Sequence, residues 1–255
     1  MSEKTIIAWT NHTWNLAWGC SKISPGCKNC YADDLSARYG WNVWGPSEPR
    51  RTFGDKHWAE PIKWNSAAAT RRVRERVFCS SMCDNFEDHP TITAELFKLW
   101  PLIRSTPWLD WQLLTKRADR IADNLPGDWN NGYPNVWLGV SIENMDYAWR
   151  ADCLRDIPAV VRFVSYEPAL GPLNQLDLTG LDWIIFGGES GPRFRQADLQ
   201  WSRDMRDKCR DAGVAYFHKQ SSHRFTERGT LLDGVEVREY PTPRVPQSSP
   251  EPLIV

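Results

Sequence analysis

The chain reads as a single α/β domain built on an incomplete TIM-like (β/α) barrel, and three observations point there. Six short apolar runs, rich in β-branched and aromatic residues, are spread along residues 77–220. Stretches of helical periodicity lie between several of them, and strands alternating with helices argue a parallel sheet. Each run also ends in a polar or charged side chain. In a β/α barrel the strand C-termini converge on one mouth, where the chemistry is housed.

The expected strands fall at 77–84, 111–116, 136–143, 161–167, 183–189 and 215–220. Their near-continuous hydrophobicity suits strands buried on both faces. Leu96, Phe97 and Trp100 give 93–103 a helical spacing, and 118–125 is a shorter helix. Tyr147, Ala148, Ala151 and Leu154 share one side of 145–157, and 199–212 ends at Gly213, a C-cap glycine. The link 168–182 contains Pro and Gly and is too irregular for a full helix. Ahead of the first strand, 31–39 is a short helix ending at Gly40, and 40–76 reads as an irregular, Trp-rich insertion. The barrel domain therefore spans 1–237. Pro241, Pro243, Pro246, Pro250 and Pro252 make 238–255 an extended tail.

Composition narrows the function. At 255 residues the chain buries a real core without covalent staples. No apolar run approaches the roughly 18 residues of a membrane helix, and the polar start Met1-Ser2-Glu3-Lys4-Thr5 lacks a signal peptide. Seven cysteines without an export signal point to the reducing cytoplasm and to metal binding. A net charge of −1 gives no global field for nucleic acid. The local runs Arg71, Arg72, Arg74, Arg76 and Arg203, Arg206, Lys208, Arg210 read as solvated faces. Of the 15 tryptophans, many crowd the first quarter, where they suit packing of an irregular segment as well as stacking on bases.

Cys20, Cys27 and Cys30 form a C-x6-C-x2-C loop spanning 14–31, with a sharp turn at Pro25-Gly26. Three thiolates can hold a [4Fe-4S] cluster with one iron open, where S-adenosylmethionine (SAM) can bind. The same spacing suits structural zinc, with His12 as fourth ligand, or a disulfide. The strand ends contribute Asp84, Lys116, Glu143, Glu167, Glu189 and Lys219, expected to ring one cavity with both signs of charge, as a zwitterion such as SAM requires. Gly187 and Gly188 would let backbone approach a ligand closely.

The order of motifs carries a resemblance. Ala8-Trp9-Thr10, Thr13-Trp14-Asn15, Gly19-Cys20 and Ser24-Pro25-Gly26-Cys27 with Cys30-Tyr31 are followed by Ser81-Met82-Cys83-Asp84, Leu114-Thr115-Lys116-Arg117 and Trp137 to Asn144. Ser165-Tyr166-Glu167-Pro168, Gly187-Gly188-Glu189-Ser190-Gly191-Pro192 and Phe217-His218-Lys219-Gln220 complete the series. Over about 8–222 the chain resembles a phage-associated family of radical-SAM-like proteins. The resemblance implies a partial barrel of the radical SAM type, a [4Fe-4S] cluster on Cys20, Cys27 and Cys30, and SAM. It places the SAM amino group near Ser81 and Asp84 and the ribose hydroxyls near Ser141 or Glu143. Glu189 joins them at the cofactor, and Lys116, Glu167 and Lys219 are left for catalysis and substrate. It further implies an external reductant, a DNA or nucleotide substrate, and a host-cytoplasmic setting. The loop departs from the usual C-x3-C-x2-C: the first gap is six residues, and Asn29 stands where an aromatic is usual. The rival reading is a zinc-stabilised, non-catalytic module that binds nucleic acid or protein.

Overall fold

The computed structural model describes residues 5–244. Seven strands make one sheet: β1 His12–Trp14, β2 Glu75–Cys79, β3 Leu109–Thr115, β4 Val136–Ser141, β5 Val161–Tyr166, β6 Trp183–Gly187 and β7 Ala215–Gln220. Their spatial order is their sequence order, and every neighbouring pair is parallel. The sheet curls into a half-barrel whose edges are β1 and β7, which is the expected fold class. Six of these strands coincide with the apolar runs. The seventh, β1, escapes a hydrophobicity reading because His-Thr-Trp is only three residues long. Its register against Val77, Phe78 and Cys79 fixes it, and Trp14 is fully buried behind it.

Both faces of the sheet are covered, which explains the continuous apolar runs. Trp9, Phe78, Trp137, Phe163, Trp183, Ile185 and Phe217 fill the concave interior. Gly139 is needed there: a Cβ would lie 2.3 Å from the Phe163 ring. Trp111, Leu113, Leu138, Val164 and Phe186 point outward into the larger core, together with Leu96, Leu99 and Ile103. Those last three belong to α4, Pro90–Ser105, opened by Pro at its first turn. Helix α6, Leu199–Ala212, is capped by the Asp198 side chain, which accepts from Gln200 N at 2.8 Å, and by Gly213 in the left-handed region.

Several segments differ from the sequence reading. The stretch 40–76 holds two helices, α2 Asp55–Trp58 and α3 Glu60–Arg71. Pro61 in the first turn and the run Ala67-Ala68-Ala69 favour a helix, which the surrounding tryptophans obscured. The helix expected at 118–125 is two 3₁₀ turns, and that at 145–157 is a 3₁₀ turn followed by α5, Trp149–Arg155. The link 168–182 is irregular, and Leu173, Leu176, Leu178 and Leu181 still pack on the core. From 238 to 244 the chain runs extended along the sheet: Glu239 N donates to Tyr216 O, and the Trp183 indole donates to Glu239 O. The remainder of the expected tail, 245–255, and residues 1–4 lie outside the described residues. Among the described residues no helix is long and apolar enough to cross a membrane.

Candidate active site at the strand C-termini

The cysteine loop folds over the C-terminal mouth of the half-barrel because short backbone contacts stitch it there. Trp18 and Arg51 exchange two backbone hydrogen bonds at 2.9 Å, and Gly19 N donates to Met82 O at 3.0 Å. Gly19 has φ +117°, and a Cβ would meet Val43 O at 2.3 Å, so only glycine turns the chain into Cys20. Pro25–Cys27 forms the turn expected from Pro25-Gly26, and α1, Tyr31–Arg38, starts directly after Cys30.

Beneath this loop lies a cavity open to solvent. Cys20, Cys27 and Cys30 line it, together with Ser81, Asp84, Lys116, Ser141, Glu167, Glu189 and Lys219. The period-two alternation of the strands also brings Ser80 and Ser165 to its wall, with Phe78 and Leu114 toward its floor. All three cysteines are free thiols, so the disulfide alternative does not hold. Cys20 Sγ donates to Ser21 O at 3.4 Å and accepts from Arg117 at 3.6 Å. Burial and the Asp84 carboxylate push its pKa upward. Burial also works to raise the pKa of Cys27, but the Lys116 charge and hydrogen bonds at Ile23 and Ser24 outweigh it and hold the thiol below its ordinary value. Among the described residues no three His, Cys, Asp or Glu side chains stand together as a metal ligand set. His12 is not a neighbour of the loop. It sits at the start of β1, bonded to Glu75 at 2.9 Å and stacked on Trp64 with centroids 4.3 Å apart. The Cys3His zinc site is therefore not built.

The charged residues divide into two groups. Glu167 and Lys219 face one another across the mouth, Nζ to Oε1 2.6 Å, and both touch the cavity. Asp84 is a junction: it accepts from Thr115 Oγ1 at 2.6 Å, Lys116 N at 3.0 Å and Arg117 at 3.0 Å, locking the β2 and β3 ends together. Glu189 receives three contacts from Arg195 and one from Asn29 at 3.1 Å, so it ties the cysteine loop to the loop after β6. Burial opposes its charge, yet these hydrogen bonds hold its carboxyl below the usual range.

Three expected ligand-binding residues stand behind the wall. Glu143 is fully buried, with one oxygen taken by Ser24 and the other by Arg150 at 2.9 Å, and it supports the cysteine loop from below. Gly187 makes room for Glu167, whose carboxyl carbon would be 2.5 Å from a Cβ there. Gly188 makes room for Ser222, whose backbone N would be 2.2 Å from a Cβ at that position. The glycine pair leaves room for these neighbouring protein atoms.

Ser80, Ser165, Arg117, Asn29 and Trp44 also line the cavity, and sequence reasoning assigned no site role to them. Ser165 had a signal in the alternation Phe163, Ser165, Glu167. Asn29 and Trp44 sit in loops, where no periodicity marks a direction.

A family model described as "Protein of unknown function (DUF5131)" matches residues 4–241. The chain belongs to that family. No curated protein matches it. Among solved structures it is similar to a double mutant of spore photoproduct lyase "with bound AdoMet and dinucleoside spore photoproduct", at 15% identity and a TM-score of 0.46. The alignment covers 78% of this chain and 61% of that one, so the chain spans about three fifths of that structure's length.

Proposed function

We propose that this protein is a radical SAM enzyme acting on a nucleobase or nucleotide under modification, the substrate class that the phage-associated resemblance implies. One observation carries the reading: three free thiols open onto the same cavity as a charge-bearing ring of strand ends. The donor chemistry fits a thiolate-held cluster. Lys116 and Arg117 stand beside the sulfurs to offset thiolate charge, and the cavity leaves one side of the loop free for a ligand. Cys20, Cys27 and Cys30 would hold the group. When bound, with an external electron donor, a [4Fe-4S] cluster supplies the electron that opens SAM to radical chemistry.

The protein's own contribution is orientation. Ser81, Ser141 and Ser165 present hydroxyls to the polyol part of a nucleoside. Asp84, held by four donors from Thr115, Lys116, Arg117 and the Phe86 backbone, has a fixed direction. Lys219 and Glu167 offer a paired cation and anion at the rim, the complement of an amino-acid carboxylate and ammonium. Trp44, Met82 and Tyr31 limit water at the mouth.

Cys27→Ala tests this. Iron content after anaerobic purification is expected to fall to background while the thermal melt is retained. A variant that binds iron as the parent does would overturn the assignment.

A further inference from the structure

A second cleft opens beside the cavity, and the two share Asn29, Tyr31 and Ser190. Its walls come from α1 and from the loops after β6 and β7. They bring Arg38, Arg193 and Arg224 together against a single aspartate, Asp34. Asp34 engages Arg193, at 3.0 Å to each carboxylate oxygen. Among the described residues Arg38 and Arg224 carry no ion pair, and both are exposed. In the arginine runs conspicuous in the sequence, Arg72 and Arg76 carry no ion pair among the described residues, but several others are committed. Arg74 is spent on Asp110 at 2.6 Å, Arg71 on Glu75 at 2.9 Å, and Arg203 and Arg206 on Asp233 at 2.8 and 3.1 Å.

The cleft also shows two aromatic rings to solvent. Tyr31 is 54% exposed and Phe225 61% exposed, large values for such side chains. Arg224 lies over the Phe225 ring at 5.9 Å. The walls are built: Tyr31 OH donates to Ser81 O at 3.0 Å, and Asn29 donates to Arg193 O at 2.8 Å. The loop carrying Arg224 and Phe225 is pinned by buried Gln220, which accepts from Thr226 at 3.1 Å and from Glu227 N at 2.7 Å.

We infer that this cleft binds a single strand of nucleic acid and delivers one of its bases to the adjoining cavity. Free guanidiniums spaced along a groove suit consecutive phosphates. Exposed rings suit unpaired bases, whose faces a duplex hides. An acidic peptide would use the arginines but leave the rings without a partner. The inference rests on the proposed nucleotide chemistry for what happens in the cavity, but the binding itself needs neither cluster nor SAM.

The test is fluorescence anisotropy with a labelled thymine or uracil oligomer of about 12 nucleotides. It uses the full chain, free of iron and SAM, across a salt series. Binding is expected to weaken with salt at a log–log slope of roughly −1.4 to −2.1, about −0.7 for each phosphate neutralised. Arg38→Ala and Arg224→Ala are each expected to flatten the slope by about 0.7. Phe225→Ala is expected to lower affinity roughly five- to 150-fold through lost stacking. Unchanged melting temperatures identify these as surface effects. Absent binding at low salt, variants indistinguishable from the parent, equal affinity for a mononucleotide, or tighter binding to a duplex would each overturn the inference. Strand binding by protein that never takes up iron would uphold the cleft and sink the radical chemistry. Iron uptake with SAM response but no strand binding would do the reverse.

Discussion

Glu87 lies buried in the loop after β2, and both its oxygens are committed. Arg50 grips it with Nε at 2.7 Å and a terminal nitrogen at 2.9 Å, and Ser21 donates from both backbone, at 2.7 Å, and hydroxyl, at 2.6 Å. Arg50 in turn donates to the carbonyls of Val43, Gly45 and Glu48. One fully desolvated ion pair thus fastens the Trp-rich insertion to the cysteine loop. Removing the charge from one side leaves the other buried and unpaired. Glu87→Gln is expected to cost about 3–5 kcal/mol in urea unfolding. The same pair predicts a pH dependence. Burial opposes the Glu87 charge, but Arg50 and Ser21 hold its folded pKa below the ordinary 4.5. Its stabilisation is therefore present above that value and lost as pH falls through the lower folded one. Glu87→Gln is expected to flatten the acid limb of the stability profile, and an unchanged limb would show that the pair contributes little. Nothing in the sequence announced this pair, because Arg50 and Glu87 are 37 residues apart and sit in loops. Asp84 and Lys116 were legible, since they follow apolar runs directly.

At the scale of elements, the alternating strands told which side chains face inward, and the six longer ones were readable for that reason. The short strand β1 and helix α3 were not. The first is only three residues long, too short to show an alternation, and the second is interrupted to the eye by Trp64 and by polar residues on its exposed face. The glycines at the end of β6 show the limit of motif reading. A Gly-Gly pair at a strand end would let backbone approach a ligand closely, and each glycine here also makes room for a neighbour inside the protein. Gly188→Ala is accordingly expected to displace the 221–222 backbone and cost about 1–3 kcal/mol, measured by thermal melting. A variant of parental stability with weakened SAM binding would instead restore the ligand-facing role.

Over the whole molecule, the half-barrel leaves a mouth that the cysteine loop roofs, and the insertion braces that roof. The open architecture, the convergence of strand ends and the three cysteines could be read from the chain. The shape of the site could not, because it is set by long-range pairs such as Arg117 with Asp84 and Asn29 with Glu189. The second cleft was invisible for the same reason: its arginines come from three separated segments. The most direct measurement is iron, sulfide and zinc analysis of anaerobically purified protein, with electron paramagnetic resonance of the reduced sample before and after SAM addition. The account predicts about four irons per chain and a signal that changes with SAM. One zinc, no colour and no response to SAM would contradict it.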